Sequence, residues 1–458
     1  MARVFLIDGT VTHSASPFLS QPVGLLSIAA VLRQQGHQVA VHDCKLDLQS
    51  LPARLVHFEP DVVGIRTLSP YLKVLEYLAA MIHRLLPGIP LVLGGPHANA
   101  DPEHALRLAG ADCAVLGEGE LTFPELLGPL LDRTPLHGVD GVAFLDDEEF
   151  VRTTPRQPIQ DLDSLPMPAW DLVPMELYFS LHHAGTAPSG RTVTIFTSRG
   201  CPFRCAFCHN IFGKRFRARG SEAVLEEIRW LHRTYGIEEF EIHDDAFNTD
   251  LQRLDRICHG LQQDNQNILL AFPNGLRGDR LPREALIDLR LAGTHHIALS
   301  PETASPRLQK MLGKNMQLER LERAARDCDD LGILTVGYFM LGFPTETEDE
   351  MQATIDWACA SALHTASFFN VIAFPGTRLH AMAVAEGNPP DQWQNSKYFE
   401  GDVNLSRIPD ERFRQLWHGA YRRFYLHPGR LRRIWRATPN KGLLFRNGLH
   451  VATRFFNR

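Results

Sequence analysis

Short runs rich in Val, Ile and Leu alternate with helix-patterned stretches twice along this chain, and that alternation leaves few folds open. In the first stretch the runs are "RVFLID", "QVAVHD", "DVVGIR", "PLVLGG" and "DCAVLG", separated by segments such as "PVGLLSIAAVLRQQGH" and "YLKVLEYLAAMIHRLLPG". The runs are nearly continuous in apolar residues, the pattern of parallel strands buried on both faces. They predict a doubly wound, Rossmann-like α/β sheet over residues 1–135. In the second stretch, six runs from "TVTIFTS" to "SFFNVIAF" are each followed by a helical segment. Six βα units predict a (β/α)6 partial TIM barrel over 191–378, with its chemistry at the carboxyl ends of the strands. Between the two, residues 136–190 hold a hairpin, "GVAFLDDEEFVRT", and a proline-dense segment from Pro155 to Pro174, which predicts a linker. Residues 379–458 form a mainly helical C-terminal region.

Length and charge narrow the class. A chain of 458 residues suits two or three domains. A net charge of −6 argues against a general nucleic-acid binder. No run of 18 apolar residues occurs, and "MARVFLIDGT" lacks a signal peptide's apolar stretch, so a cytoplasmic protein without a transmembrane segment is expected. From Arg407 onward thirteen Lys/Arg face two acids, which leaves about −17 on the first 406 residues. This basic tail suits peripheral contact with a membrane or acidic surface, or else a solvated helical face with an apolar other side.

In a reducing compartment clustered cysteines point to metal or catalysis before disulfides. Of eight cysteines, Cys201, Cys205 and Cys208 lie together in "TSRGCPFRCAFCHN", while Cys44, Cys113, Cys258, Cys328 and Cys359 are scattered as small core residues. Structural zinc wants four ligands, and His209 is the only near candidate for the fourth. A 4Fe–4S cubane is commonly held by four cysteines; with three, one iron stays open to an exogenous ligand. The other five predicted strand ends carry "HDDAFN", "NGLRGDR", "SPETAS", "GFPTET" and "FPGT", a rim of polar, Gly/Pro-bearing loops that marks an active site.

The C-x3-C-x2-C spacing with these loops resembles the radical S-adenosylmethionine superfamily. The resemblance implies that Cys201, Cys205 and Cys208 hold the 4Fe–4S cluster and act as the catalytic centre. S-adenosyl-L-methionine would lie against Phe207, Asp244, Asp245, Arg277, Glu302, Gly342, Phe343 and Pro344. The first domain is similar to the cobalamin-binding domain fused ahead of the radical domain in one large subfamily. That likeness assigns cobalamin contacts to Thr67 and Ser69 of "RTLSP", Gly94, Gly95, Pro96 and His97 of "GGPH", and Gly117, Glu118 and Gly119 of "GEGE". The Asp-x-His-x-x-Gly signature of cobalamin mutases does not follow the first strand; the region reads "DGTVTHSASP", where His13 is the one histidine. What the family implies is a 5′-deoxyadenosyl radical used in C-methylation of a small-molecule or peptide intermediate. The alternative is a cobalamin-assisted oxidation, cyclisation or ring rearrangement. A flavodoxin or ferredoxin would supply electrons, and the C-terminal region would cap the barrel mouth. Tyr338, Asn370 and Arg378 lie near the last strand ends, and Lys314 follows a helix C-terminus, which by itself explains a lysine.

Overall fold

The computed structural model describes residues 1–11, 20–181, 190–209, 211–264, 267–389 and 403–438; His13 lies outside them. The chain divides into two compact units. One holds residues 1–183 and takes in His209–Arg217 and Phe374–Thr377; the other holds the rest.

In the first unit β1 (Arg3–Asp8), β2 (Gln38–Asp43), β3 (Val62–Arg66), β4 (Leu91–Gly94) and β5 (Cys113–Val115) form a parallel sheet in the order β2-β1-β3-β4-β5. Helices α1 (Val23–Gln34), α2 (Leu51–Phe58), α3 (Leu72–Leu85), α4 (Pro96–Ala100), α5 (Pro102–Ala109) and α6 (Gly119–Asp132) connect them. The strands bury Val4, Leu6, Ile7, Val62, Val63, Leu91 and Leu93 at 2% exposure or less, as their continuous apolar character requires.

The sheet does not stop at residue 135. The predicted linker hairpin, β6 (Val142–Asp146) and β7 (Glu149–Arg152), adds antiparallel to β5 through Ala114–Ala143 and Val115–Val142. Val142, Ala143 and Phe144 are buried there, and Asp147 and Glu148 turn with positive φ of 44° and 69°, the backbone sense of a tight hairpin turn. The proline-dense segment also stays on this unit. Ala169 donates its amide to the Leu26 carbonyl at 3.1 Å, Trp170 is 1% exposed, and Tyr178 of α7 (Met175–Leu181) donates its hydroxyl to Asp43. Proline prevents helix or ladder here, so the chain is fixed by these side chains instead.

The second unit holds a six-stranded parallel sheet of β8 (Thr192–Ile195), β9 (Glu239–Ile242), β10 (Leu269–Leu276), β11 (Thr294–Glu302), β12 (Leu334–Leu341) and β13 (Thr365–Asn370), in chain order. The intervening helices include α8 (Ser221–Tyr235), α9 (Leu251–Asp264), α10 (Arg283–Leu291), α11 (Pro306–Met311), α12 (Leu318–Leu331), α13 (Glu348–Ala360) and α14 (Arg378–Ala385). Strands β8 and β13 are the two edges, so the barrel is partial. Gly293, at φ 96°, has no substitute: a Cβ would stand 2.0 Å from the Ile268 carbonyl oxygen.

The C-terminal helices α15 (Asp410–Tyr425) and α16 (Pro428–Ala437) cover the β13 edge. Tyr421 and Tyr425 use their hydroxyls in place of a missing strand. Phe368 and Ala366 each donate an amide to one of them, and each hydroxyl donates back to the same residue's carbonyl at 2.8–3.1 Å. Arg430, 1% exposed, donates to the carbonyls of Leu363, Ala358, Cys359 and Ser361, closing the C-terminus of α13. Further arginines of the basic tail pair within the unit: Arg407 with Glu386, Arg412 with Glu348 and Arg423 with Asp356. Part of the tail's charge is thus matched by acids of the same unit.

Candidate functional site

The cysteine loop leaves β8 through Thr197 and Ser198, and Asp244 holds that departure. Its buried carboxylate accepts the Thr197 amide at 2.6 Å and the hydroxyls of Thr197 and Ser198 at 2.5 Å. Asp244 therefore fastens the start of the loop; the neighbouring Asp245 is exposed. Further on, the Ala206 amide donates to the Leu312 carbonyl at 2.7 Å and the Leu379 amide to the Ala206 carbonyl at 2.9 Å. Gly313, at φ 67°, allows the chain to pass so close that a Cβ would lie 3.0 Å from the Arg204 carbonyl oxygen.

Within the loop Cys205 and Cys208 touch. The Cys208 thiol donates to the Cys205 sulfur, and the Lys314 and Arg277 cations nearby add to its pull, so Cys205 falls to about 6 despite burial. A thiol that ionises below neutral pH is the form that ligates iron. No three Cys, His, Asp or Glu side chains among the described residues converge closely enough to enclose a single ion. The donor chemistry, three free thiols in one loop with none in a disulfide, fits a 4Fe–4S cluster, whose binding would part the touching Cys205 and Cys208 sulfurs.

Lys314 turns out to be central. Its Nζ is 3.0 Å from Glu302 Oε1, with both side chains nearly buried, and 5.8 Å from the centre of the Phe207 ring. Glu302 ends β11 at φ 65°, an unusual backbone for a residue with a side chain, such as functional sites hold. Arg277 binds Asp279 at 2.7 Å, donates to the Lys314 carbonyl at 2.9 Å and lies 4.0 Å over the Phe203 ring. Phe207 packs 6.5 Å from Phe343. Phe343 belongs to the loop after β12, whose Gly342 takes φ 95° against the Phe413 ring. That loop is tied by Glu346: its Oε2 accepts the amides of Gly342 at 2.7 Å and Phe343 at 2.9 Å. Burial pushes Glu346 up to about 8, so its carboxyl is protonated at neutral pH, and its Oε1 has no protein partner. Pro344 is buried beside it. Cys205, Cys208, Phe207, Glu302, Lys314 and Arg277 thus stand together, an arrangement with the charged and aromatic partners that S-adenosylmethionine's adenosine and amino-acid ends call for.

Sequence reasoning overlooked Glu346, although it sits within "GFPTET", and discounted Lys314. Of the other residues noted near strand ends, two make contacts to backbone carbonyls. Tyr338 donates to the Pro273 carbonyl at 3.0 Å, Arg378 to the Met311 carbonyl at 3.1 Å, and Asn370 is buried.

In the first unit the loops after β3, β4 and β5 lie at neighbouring strand ends. Thr67 Oγ1 is buried without a hydrogen-bond partner. Gly94 and Gly117 each face open space, with nothing within 4 Å of where a Cβ would stand, whereas at Gly95, with φ 90°, a Cβ would stand 3.0 Å from the Thr67 carbonyl oxygen. An orphaned hydroxyl at one strand end and two open glycines at the next two fit a large flat ligand such as a corrin. The remaining candidates serve the frame. His97 is fully buried, its Nδ1 3.0 Å from Ser69 Oγ and its Nε2 3.4 Å from His104; burial and the His104 charge press it to about 4, so it is neutral. Pro96 opens α4 at its first turn. Glu118 binds Arg217 at 2.8 Å and the Ile159 amide at 2.8 Å. Gly119 allows α6 to approach α1, since a Cβ would stand 2.7 Å from Ile28 Cδ1.

Comparison with known proteins finds a family match in each of the two stretches. The family described as B12 binding domain matches residues 9–127, and the Radical SAM superfamily matches residues 195–358. An uncharacterized methyltransferase of Pyrococcus horikoshii is 31% identical over 414 residues, covering 89% of this chain and 88% of its own length. The chain belongs to the cobalamin-binding radical S-adenosylmethionine family. Its cofactors are accordingly a 4Fe–4S cluster, S-adenosyl-L-methionine and cobalamin, and it is an enzyme that requires a reductant. The cytidylyl-2-hydroxyethylphosphonate methyltransferase of Streptomyces wedmorensis is 26% identical, over 89% of this chain and 87% of that one. The fold is shared with the radical S-adenosylmethionine methyltransferase TsrM of Kitasatospora setae, solved with cobalamin and a 4Fe–4S cluster bound (TM-score 0.73, 18% identity, 93% of this chain and 89% of that one).

Proposed function

We propose that this enzyme methylates an unactivated carbon of a small-molecule or peptide intermediate. The observation that carries the reading is end-to-end likeness. The two methyltransferases above are matched over 87–88% of their lengths, whereas the anaerobic magnesium-protoporphyrin IX monomethyl ester cyclase of Synechocystis is matched over 64%. That cyclase, 28% identical over 331 residues, is what favours the second reading, a cobalamin-assisted ring closure without methyl transfer.

When bound, the cluster and S-adenosylmethionine supply a 5′-deoxyadenosyl radical and the cobalamin supplies a methyl group. The chain's own residues hold and shield these groups. Cys201, Cys205 and Cys208 are the iron ligands. Lys314 and Glu302 present a fixed charge pair beside Phe207, and Glu346 sets the Gly342–Phe343 turn against that ring. Thr67, Gly94 and Gly117 leave room and one hydroxyl for the corrin. Among the described residues no helix is long and apolar enough to cross a membrane. We place the enzyme in the cytoplasm, whose reducing conditions keep such thiols available.

The test is anaerobic reconstitution with iron, sulfide and hydroxocobalamin, followed by S-adenosylmethionine labelled in its methyl group. The expected outcome is about four irons per chain, a retained corrin spectrum, and label in the product carbon. 5′-Deoxyadenosine formed with product that carries no label would replace methylation by the second reading.

A further inference from the structure

A groove of about 1010 Å³ opens beside the cysteine loop, within the second unit. Phe203, which stands between Cys201 and Cys205, forms part of its wall, with Arg277 4.0 Å and Arg280 5.3 Å from the ring centre. The other walls are the loops after β9 and β10, the connection between α11 and α12, and the flanks of α9, α10 and α12; no strand residue lines it.

Six cations line the groove against three acids, in a chain whose net charge is −6. Two of the acids are already matched. Asp279 is held by Arg277 and by the Gln317 amide, and Asp327 by Arg283. Arg280, Arg320 and Arg323 are exposed and form no ion pair among the described residues, and Glu284 is the remaining acid. Cations left unmatched on an acidic chain create a local positive field that steers an oppositely charged partner. Arg277 and Lys314 belong to the charges already described beside the cysteine loop, so the unmatched cations that the groove adds to that site are Arg280, Arg320 and Arg323.

We infer that this groove seats the electron donor, a small acidic redox protein of the flavodoxin type. The inference rests on the reading of Cys201, Cys205 and Cys208 as cluster ligands. Seated there, the donor lies against the cysteine loop at Phe203. One electron leaves the reduced flavin, which passes from anionic hydroquinone to neutral semiquinone, and takes the cluster from its 2+ to its 1+ level. No covalent bond changes and no proton has to move.

The experiment uses the reconstituted full chain, an acidic flavodoxin, and the charge-reversal pair Arg320→Glu/Arg323→Glu. Affinity is read by calorimetry, and cluster reduction by stopped-flow absorbance with flavodoxin hydroquinone and, separately, with dithionite. The expected result is flavodoxin affinity weakened by about tenfold or more, slower reduction by flavodoxin, a flatter salt dependence and an unchanged rate with dithionite. Arg320→Gln/Arg323→Gln, a milder change, carries the test should the reversal pair fail to fold. Wild-type affinity and flavodoxin rates in both variants would overturn the inference. So would a raised KM for an anionic substrate with flavodoxin affinity intact, which would assign the groove to that substrate. A wild-type chain that takes up no iron would instead sink the cluster reading itself, before any flavodoxin is added.

Discussion

Glu346 shows how one side chain sets a pH dependence. Its carboxyl, raised from the ordinary 4.5 to about 8 by burial, keeps its proton in the folded chain at pH values where the unfolded chain has lost it. Folded protein then binds more protons than unfolded protein, so stability falls as pH rises between those two values, by roughly 1.4 kcal/mol per unit from this group. Glu346→Gln keeps the acceptor for the Gly342 and Phe343 amides and removes the slope; chemical denaturation from pH 5 to 8 checks this. Glu346→Ala leaves two buried amides unpaired and costs about 1–3 kcal/mol for each, with a raised KM for S-adenosylmethionine. Lys314→Met strands the Glu302 carboxylate and is expected to cost about 3–5 kcal/mol, much of it regained in the double variant Lys314→Met/Glu302→Gln. Denaturant midpoints of the wild type, Lys314→Met, Glu302→Gln and the double variant measure that recovery. At this scale the sequence displayed the chemistry and hid the pairing. Asp244, His97 and Glu118 are polar residues at strand ends, as ligands would be. Which of them is turned inward depends on Thr197, Ser69 and Arg217, and spacing along the chain does not contain those distances.

Among elements, the loops after β4 and β5 separate two uses of glycine. Gly94 faces open space, so Gly94→Leu fills the room left for the corrin while touching little of the fold. The expected outcome is loss of the corrin spectrum after desalting, with the thermal midpoint within a few degrees of wild type. Gly119→Ala does the reverse. It presses on the tip of Ile28 between α6 and α1, at a cost of about 1 kcal/mol or less, relieved in part by Ile28→Val, with cobalamin retained. The strands and most helices were legible because their apolar periods are long and regular. Both glycines stand in short strand-end motifs of the same kind, and such a motif alone does not tell a cradle from a helix contact. The proline-dense segment misled for a physical reason. Proline forbids a ladder or helix but says nothing about direction, and Trp170 and Tyr178, which anchor the segment, are ordinary aromatics in the sequence.

For the whole molecule, each unit carries its own cofactor set, so losses should be separable. Cys205→Ala/Cys208→Ala is expected to remove nearly all bound iron and keep the corrin, and Gly94→Leu to remove the corrin and keep the iron. Iron assay and visible spectra on the same preparations decide it. The order of a nucleotide-type sheet and a partial barrel was legible from alternation alone, and the cofactors from the family resemblance that the motifs carry. The limit of the first unit was not, because a hairpin looks the same in sequence whether it hangs free or joins a sheet. That hairpin also has a consequence for handling the protein in pieces. Strand β5 has only three residues and is apolar throughout, and β6 covers its outer side. A fragment ended at residue 135 would leave that row of amides and carbonyls bare, a template for intermolecular pairing and precipitation. A fragment that runs through Arg152 keeps the edge closed by a two-stranded fringe with charged, half-solvated outer residues, and should stay in solution at concentrations where the shorter one clouds.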